Sequence, residues 1–383
     1  MTTQPDRRYR IVALPGEGIG PEVVEASLTI LQVLASVEGF TVSIERGLIG
    51  EPAREQFGVS LPQETLSQCE CCDGILFGSV NRGGLLELRQ HFDLFINLRP
   101  IRPLPSLMDV SPIKADRLKD VDILVIRELV SGIYFGPSER GIGRHGAYGS
   151  HTMRYQDSEI RRIARVALGY AQERRRHLTI AHKENALPHI PWTRLVQEEA
   201  RQFPAVTIQP VLVDNLAMQL VMNPQAFDVI LAGNLFGDIL SDLGGALVGS
   251  LGMLGSASLN ADGFGLYEAV HGTAPDIAGK GIANPLGTLT AATLMLDQWG
   301  EHQAAERLRQ LQNTLLVKGY RTADLYQRES HLNGPYVDQA EHHHSKPLPD
   351  HHLAPLQTKV TTAELVNLFV DSLRAQNVSS NPM

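Results

Sequence analysis

The sequence is poor in cysteine, carries no excess of positive charge and contains no long apolar run. Its three cysteines are bunched at Cys69, Cys71 and Cys72. An odd, tightly spaced set builds no disulfide framework, and no second Cys/His pair stands at zinc-finger spacing. Reduced thiols near a helix end are expected. The net charge of −8 leaves no basic footprint for nucleic acid or an anionic membrane. No apolar segment approaches the roughly 20 residues of a membrane-spanning helix. The opening MTTQPDRRYRIVALPG holds an arginine pair followed by only a short apolar stretch, and reads as a first strand rather than a signal peptide. Together these absences point to the reducing cytoplasm. No internal repeat is visible.

The 383 residues are 43% apolar and 20% charged, ordinary values for a globular protein. The length is roughly two to three times the common domain size, so one large domain or two interleaved ones are expected. Strand patterns fall at about 9–15, 41–46, 74–78, 121–127, 177–182, 206–213 and 227–232. Helical patterns lie between them at about 21–35, 157–175 and 192–203. This alternation predicts an α/β fold with a largely parallel sheet. Residues 235–252, rich in small side chains, read as one closely packed helix. A pair of helices is expected over 285–316 and a last one over 361–375, capped at Thr361 or Thr362. Residues 327–356 are polar, His- and Pro-rich and without period, and read as a loop or an extended excursion.

The turn PGEGIGPE (Pro15–Glu22) is glycine-dense, but its glycines at 16, 18 and 20 do not make the dinucleotide fingerprint. The acidic residues are more informative. Asp238 and Asp242 stand four apart in a helical pattern, so their carboxylates share a face. Asp214 follows the apolar strand QPVLV. A solvated helix face fits poorly beside Leu235, Phe236, Ile239, Leu240 and Leu243. Like charges on an apolar helix suggest a divalent cation, and hard oxygen ligands suit Mg²⁺ or Mn²⁺. Arg89 and Arg99 flank QHFDLFINL, and Arg127 ends the strand VDILVI. Guanidinium forks match carboxylates, although a strand-end arginine beside Glu128 equally suits a structural ion pair. Arginines, aspartates and a cation describe a pocket for a small polycarboxylate. Tyr134 in SGIYFG and Lys183 in AHKENAL are candidate acid/base groups.

The blocks PGEGIGPEVV, LRQHFDLFINLRP, VIRELVSGIYFG, VDNLAMQL, NLFGDILSDLGG, GSLGMLGSASL and HGTAPDIAGKGIANP occur in that order. Together they resemble the isopropylmalate dehydrogenases, within the wider β-decarboxylating dehydrogenase family that includes isocitrate, homoisocitrate and tartrate/malate enzymes. The resemblance runs from about residue 9 to 300 and resumes near 359–375. It implies a two-domain fold with an open mixed sheet that is not a Rossmann domain. Residues 1–100 with 256–383 would form one domain, and 101–255 would form the other, with the dimer interface.

The resemblance also implies roles. Arg89, Arg99 and Arg127 would hold the substrate carboxylates. Asp238 and Asp242, with the partner subunit's Asp214, would bind Mg²⁺ or Mn²⁺. The partner subunit's Lys183 would act as base on the C2 hydroxyl, and Tyr134 would protonate the enolate after CO₂ leaves. His271, Gly272, Thr273, Ala274, Pro275, Asp276, Ile277 and Asn284, with Asn185, would bind the cofactor. Asp276 would accept the ribose 2′-hydroxyl and repel a 2′-phosphate, which favours NAD. Leu85, Leu86 and Ala186 would line the pocket for the substrate's 3-substituent. A homodimer with shared sites and a small-molecule substrate follows.

Four departures from the family pattern stand out. The stretch GSVNRGGLLELR is about ten residues short, with Arg82 where an acidic residue is expected. Ala186 replaces a valine, which enlarges the side-chain pocket. Glu17 replaces an aspartate and Gly233 a glutamate. Residues 327–356 look like an insertion. 3-Isopropylmalate is the expected substrate, with 3-benzylmalate or another bulky 3-alkylmalate second and homoisocitrate or isocitrate third. The regulatory subunits of the family lack catalytic groups, whereas Tyr134, Lys183, Asp214, Asp238 and Asp242 are all present here.

Overall fold

The computed structural model describes residues 7–327 and 357–379. The histidine cluster His342–His344, His351 and His352 therefore lies outside the described residues. The strands are β1 (Arg8–Gly16), β2 (Thr41–Arg46), β3 (Gly74–Ser79), β4 (Ile96–Ile101), β5 (Ile123–Glu128), β6 (Ser138–Gly143), β7 (Gly146–His151), β8 (His177–His182), β9 (Thr207–Leu212), β10 (Val229–Ala232), β11 (Gly255–Leu259), β12 (Gly265–Ala269), β13 (Tyr320–Arg321) and β14 (Thr358–Lys359). The helices are α1 (Gly20–Glu38), α2 (Glu51–Phe57), α3 (Gln63–Glu70), α4 (Leu85–His91), α5 (Ala115–Leu118), α6 (Asp157–Glu173), α7 (Trp192–Glu199), α8 (Val213–Met222), α9 (Asn234–Val248), α10 (Leu286–Gln298), α11 (His302–Val317) and α12 (Thr362–Ser379).

Ten strands form one mixed sheet in the order β2-β1-β3-β12-β11-β4-β5-β10-β8-β9. One flank, from β2 to β12, is parallel. The other, from β5 to β9, is parallel as well. Antiparallel pairings of β11 and β4 join them. The sheet is thus mixed, as the resemblance implied, and still largely parallel, as periodicity suggests: only the pairings of β11 and β4 with each other and with β12 and β5 are antiparallel. The linking strands read poorly for a physical reason: β11 is GSASL, β12 is GLYEA and β4 carries Asn97 and Arg99. Small and polar residues interrupt the apolar run that marks a buried strand. The hairpin β6–β7, also absent from the sequence reading, pairs only with itself.

Strands inside the flanks are buried on both faces, as with GILFGS in β3 and ILVIRE in β5, because helices cover both sides of such sheets. Helix α1 starts with Pro21 in its first turn and stops at Gly39, whose φ of 75° returns its N–H to the Ala35 carbonyl. Thr361 caps α12, accepting from the Glu364 amide while the Glu364 carboxylate takes the Thr361 amide. The segment 235–252 is not one helix. Gly249, at φ 95°, ends α9 in the left-handed conformation, and a short 3₁₀ turn, Leu251–Met253, follows. The cysteines sit at the end of α3, all of them free.

The glycine-dense turn after β1 is a packing joint. Gly18 has φ 62°, and a Cβ on it would lie 2.0 Å from the Thr273 carbonyl oxygen. The neighbouring Ile19 amide donates to that same carbonyl at 2.9 Å. Gly18→Ala is therefore expected to lower stability by on the order of 2 kcal/mol through strain and collision. Thermal melting checks this, and an unchanged melting temperature would refute the packing role.

Candidate active site

Helix α9 lies across β4 and β5 at unusually close range. A Cβ on Gly237 would meet the Arg127 Cβ at 2.7 Å, and one on Gly244 would meet Ile101 at 2.4 Å. Glycine at these two positions lets the helix settle onto the strands, and its polar face then meets the arginines of the sheet. Arg127, 2% exposed, donates from Nη1 to Asp238 at 2.6 Å and from Nε and Nη2 to the Asn234 side-chain carbonyl at 3.1 and 2.7 Å. Arg99 donates to Asn97 at 2.9 Å, Ser241 at 2.7 Å and Asp242 at 2.9 Å, and approaches Asp238 at 3.5 Å. Asn234 is held in turn by the Leu129 and Ser131 carbonyls, each at 3.0 Å. Arg89 on α4 donates to Glu268 of β12 at 2.8 Å, both groups being buried.

Arg99 and Arg127 supply counter-charge to Asp238 and Asp242. Burial, with Asp238 close by, still pushes the Asp242 carboxyl above its usual range despite Arg99. Both carboxylates stay partly open, with side-chain exposures of 32% for Asp238 and 50% for Asp242. Two hard-oxygen donors one helical turn apart fit a divalent cation. Among the described residues, no three Asp, Glu, His or Cys side chains group closely enough to hold one.

Tyr134 lies over the Arg127 guanidinium and donates to Asp238 at 3.0 Å. Burial, reinforced by the Asp238 charge, raises its pKa, so the phenol keeps its proton at neutral pH. These groups line a cavity of about 330 Å³ with Val80, Leu85, Leu86, Arg89, Glu268, His271 and Gly272. Arg82 is exposed and does not line it.

The predicted groups do not all gather there. Lys183, Asn185, Ala186 and Asp214 stand outside this lining, as does Asp242, one helical turn beyond Asp238. Lys183 follows β8 and pairs with Asp214 on α8 at 2.8 Å, with Asp214 64% exposed. The lysine ammonium holds the Asp214 carboxyl below its usual range. Asn185 and Ala186 are exposed.

The loop from His271 to Asn284 is fixed at several points. Thr273 accepts from Ile19, Ile277 packs on Ile19, Val23 and Ala283, and Ala283 donates to Glu22 at 2.8 Å. Asn284 donates to Asp324 at 2.9 Å and accepts from Leu286 at 3.0 Å. Ala274 sits at φ 39°, and Pro275 and Asp276 are exposed. His271 keeps a buried Nε2 without a partner, and burial lowers its pKa. A neutral imidazole with an open ring nitrogen is a ready contact for a polar ligand.

Sequence reading missed Asn97, Asn234, Ser241 and Glu268. Two of them carried a signal: Glu268 is a lone acid in an apolar strand, and Asn234 stands between a strand and a helix. Glu128, offered as an alternative partner for Arg127, points elsewhere, since neighbours in a strand face opposite ways. It accepts from the Val130 and Ser131 amides, each at 3.1 Å, and so anchors the loop that leads to Tyr134.

Residues 10–339 match the isocitrate/isopropylmalate dehydrogenase family. The 3-isopropylmalate dehydrogenase of Halalkalibacterium halodurans is 45% identical over 332 residues, covering 82% of this chain and 92% of that protein. The 3-isopropylmalate dehydrogenase of Aquifex aeolicus is 44% identical over 337 residues, covering 84% and 92%. The crystal structure of isocitrate dehydrogenase from Methylococcus capsulatus superposes with a TM-score of 0.80 at 29% identity, covering 96% of this chain and 99% of that one.

Burial raises the Glu128 carboxyl from 4.5 to about 7. An acid with a raised folded pKa binds a proton on folding, so its contribution to stability falls as pH rises through that window and is constant above it. Glu128→Gln should remove this dependence. The variant should gain on the wild type by on the order of 3 kcal/mol between pH 4.5 and 7. Parallel denaturant titrations at several pH values test this, and a pH-independent difference would refute it. The geometry and the comparisons agree on one placement: this chain is a member of the isocitrate/isopropylmalate dehydrogenase family.

Proposed function

We propose that the chain catalyses the NAD-dependent oxidative decarboxylation of 3-isopropylmalate to 4-methyl-2-oxopentanoate, a step of leucine synthesis; its relatives are named for the same substrate. The carrying observation is one cavity holding Arg89, Arg99 and Arg127 together with Val80, Leu85 and Leu86. The arginines suit a malate's carboxylates and the aliphatic wall suits an apolar 3-substituent. Isocitrate, with a third carboxylate, would place that charge on the leucines, because Arg82 does not line the cavity. Leu86 is 42% exposed, so a bulkier group such as benzyl has room to extend past it. That is the second reading.

Asp238 and Asp242 would hold Mg²⁺ or Mn²⁺ with the partner subunit's Asp214, and the loop His271–Asn284, with Asp276 at the ribose, would hold NAD with Asn185. Bound there, NAD would supply a hydride acceptor and the divalent ion Lewis-acid polarisation. The chain's own groups do the rest. The arginines fix the two carboxylates, and the partner subunit's Lys183 takes the C2 hydroxyl proton. After the β-carboxylate leaves as CO₂, Tyr134 gives its phenolic proton to C3. Residues 1–100 with 256–383 would form one unit and 101–255 the other, closing on the substrate to exclude water.

A homodimer is supported by the separation of Lys183 and Asp214 from the cavity that holds Tyr134. It is supported too by exposed apolar side chains: Met218 and Met222 on α8, the helix that carries Asp214, with Ile239 on α9 and Ile142 at 90% exposure on β6. Closed two-fold pairing would cover such side chains.

Two experiments test the reading. NADH formation with Mg²⁺ should favour 3-isopropylmalate over isocitrate by at least about tenfold in kcat/KM. Faster turnover of isocitrate would overturn the substrate, and preference for 3-benzylmalate would select the second reading. Mixing inactive Lys183→Ala with inactive Tyr134→Phe and allowing exchange should restore about a quarter of wild-type activity, since half of random dimers carry one intact site. No recovery would refute sharing of the site.

A further inference from the structure

We propose that Asn234, the first residue of α9, is a positioning residue that ties the carboxylate-binding Arg127 to the proton-donating Tyr134. The inference rests on the roles proposed above for those two residues. Asn234 itself is 0% exposed and does not line the catalytic cavity. It acts through the groups it holds.

Its side-chain amide is used in both directions. Oδ1 accepts from the Nε and Nη2 of Arg127 at 3.1 and 2.7 Å, and two N–H groups on one oxygen fix the rotation of the planar guanidinium. Nδ2 donates to the Leu129 and Ser131 carbonyls, each at 3.0 Å. The amides of the same segment go to Glu128, which accepts from Val130 and Ser131 at 3.1 Å each. Tyr134 follows three residues on, past Gly132 at φ 80°. The phenol is 40% exposed and donates to Asp238, so its place beside Arg127 is set by how the segment before it is held.

Only a carboxamide serves both ends. An ionised carboxylate at 234 would still accept from Arg127 but could donate to neither carbonyl, and an aliphatic side chain of the same size could do neither. Two buried carbonyls left without donors release the segment. Asn234 also begins the helix that carries Asp238 and Asp242, and its backbone amide donates to the Tyr155 hydroxyl at 2.8 Å. A Cβ on Gly132 would collide with that same hydroxyl, so the helix start and the tyrosine loop pack on one phenol. Arginine, carboxylate helix and tyrosine loop thus share a single buried amide.

Two isosteric variants separate the two grips. Asn234→Asp should keep KM for the preferred malate within about twofold and lower kcat by at least about tenfold, because a misplaced proton donor costs rate and not binding. Asn234→Leu should lose both, with KM also raised about tenfold. In the ligand-free full chain, the amides from Leu129 to Tyr134 should exchange hydrogen at least about tenfold faster in Asn234→Asp than in the wild type. An amide that only holds the fold together would lower the melting temperature without splitting kcat from KM. The proposal is overturned if Asn234→Asp keeps kcat within about twofold of the wild type, if its KM rises as far as that of Asn234→Leu, or if exchange in the segment is unchanged. If the wild type turns over no malate, the proposed function fails, while exchange still tests the hold of Asn234 on the tyrosine loop. If Asn234→Asp does not fold, the exchange comparison passes to Asn234→Leu, which loses the same two donors.

Discussion

The arrangement of the site depends on how closely α9 can approach β4 and β5. Two buried guanidinium groups, on Arg99 and Arg127, project from the sheet with 6% and 2% exposure. Buried cations persist only when paired and hydrogen-bonded. Asp238, Asp242, Ser241 and Asn234, all on one helix, supply those partners, and they reach only because Gly237 and Gly244 present no side chain to Arg127 and Ile101. A larger residue at either position would lift the helix and strand the arginines in an apolar layer. The same contact fixes Tyr134, through its bond to Asp238.

That dependence explains what could be read in advance. The i, i+4 spacing of Asp238 and Asp242 is a property of any helix, so their shared face was legible. Arg127 was legible as a carboxylate binder because it ends an apolar strand, and Arg89 and Arg99 because they flank QHFDLFINL. Their present partners were not, since pairing across the sheet depends on strand order, and the linking strands β4, β11 and β12 lack the pattern that would have placed them. Asn234 and Glu268 hold arginines across more than a hundred residues of chain, a distance over which spacing carries no information. The glycines of the Pro15–Glu22 turn do not make a dinucleotide fingerprint, and the turn they build docks the loop that begins at His271.

The departures from the family pattern have local physical meanings. The Glu17 carboxylate accepts from the Glu51 amide at 2.9 Å, at the start of α2, where a negative charge suits the helix dipole. Gly233 precedes α9 without a side chain, and a Cβ there would lie 2.8 Å from the Tyr155 hydroxyl. Tyr155 takes up the capping instead, accepting from the Asn234 amide at 2.8 Å. A glycine and a distant tyrosine thus fix the residue that braces Arg127. The shortened connection before α4 is closed by Gly84, whose amide donates to Glu87 at 2.8 Å, leaving Arg82 to solvent and the leucine wall intact.

The pairing of Lys183 with Asp214 is the arrangement that a single chain explains least. An ion pair with one partner 64% exposed adds little to folding, because solvent screens it. The surrounding backbone is nevertheless ordered: the Lys183 carbonyl accepts from Ala186 and Leu187 at 3.0 and 2.8 Å, and Glu184 accepts from the Thr193 amide at 2.7 Å. A lysine and an aspartate held firmly at an exposed position, on elements that also expose Met218 and Met222, suit a surface that is completed by another. In the shared site proposed above, the open carboxylates of Asp238 and Asp242 would be joined by one further oxygen donor and one base, the partner subunit's Asp214 and the partner subunit's Lys183.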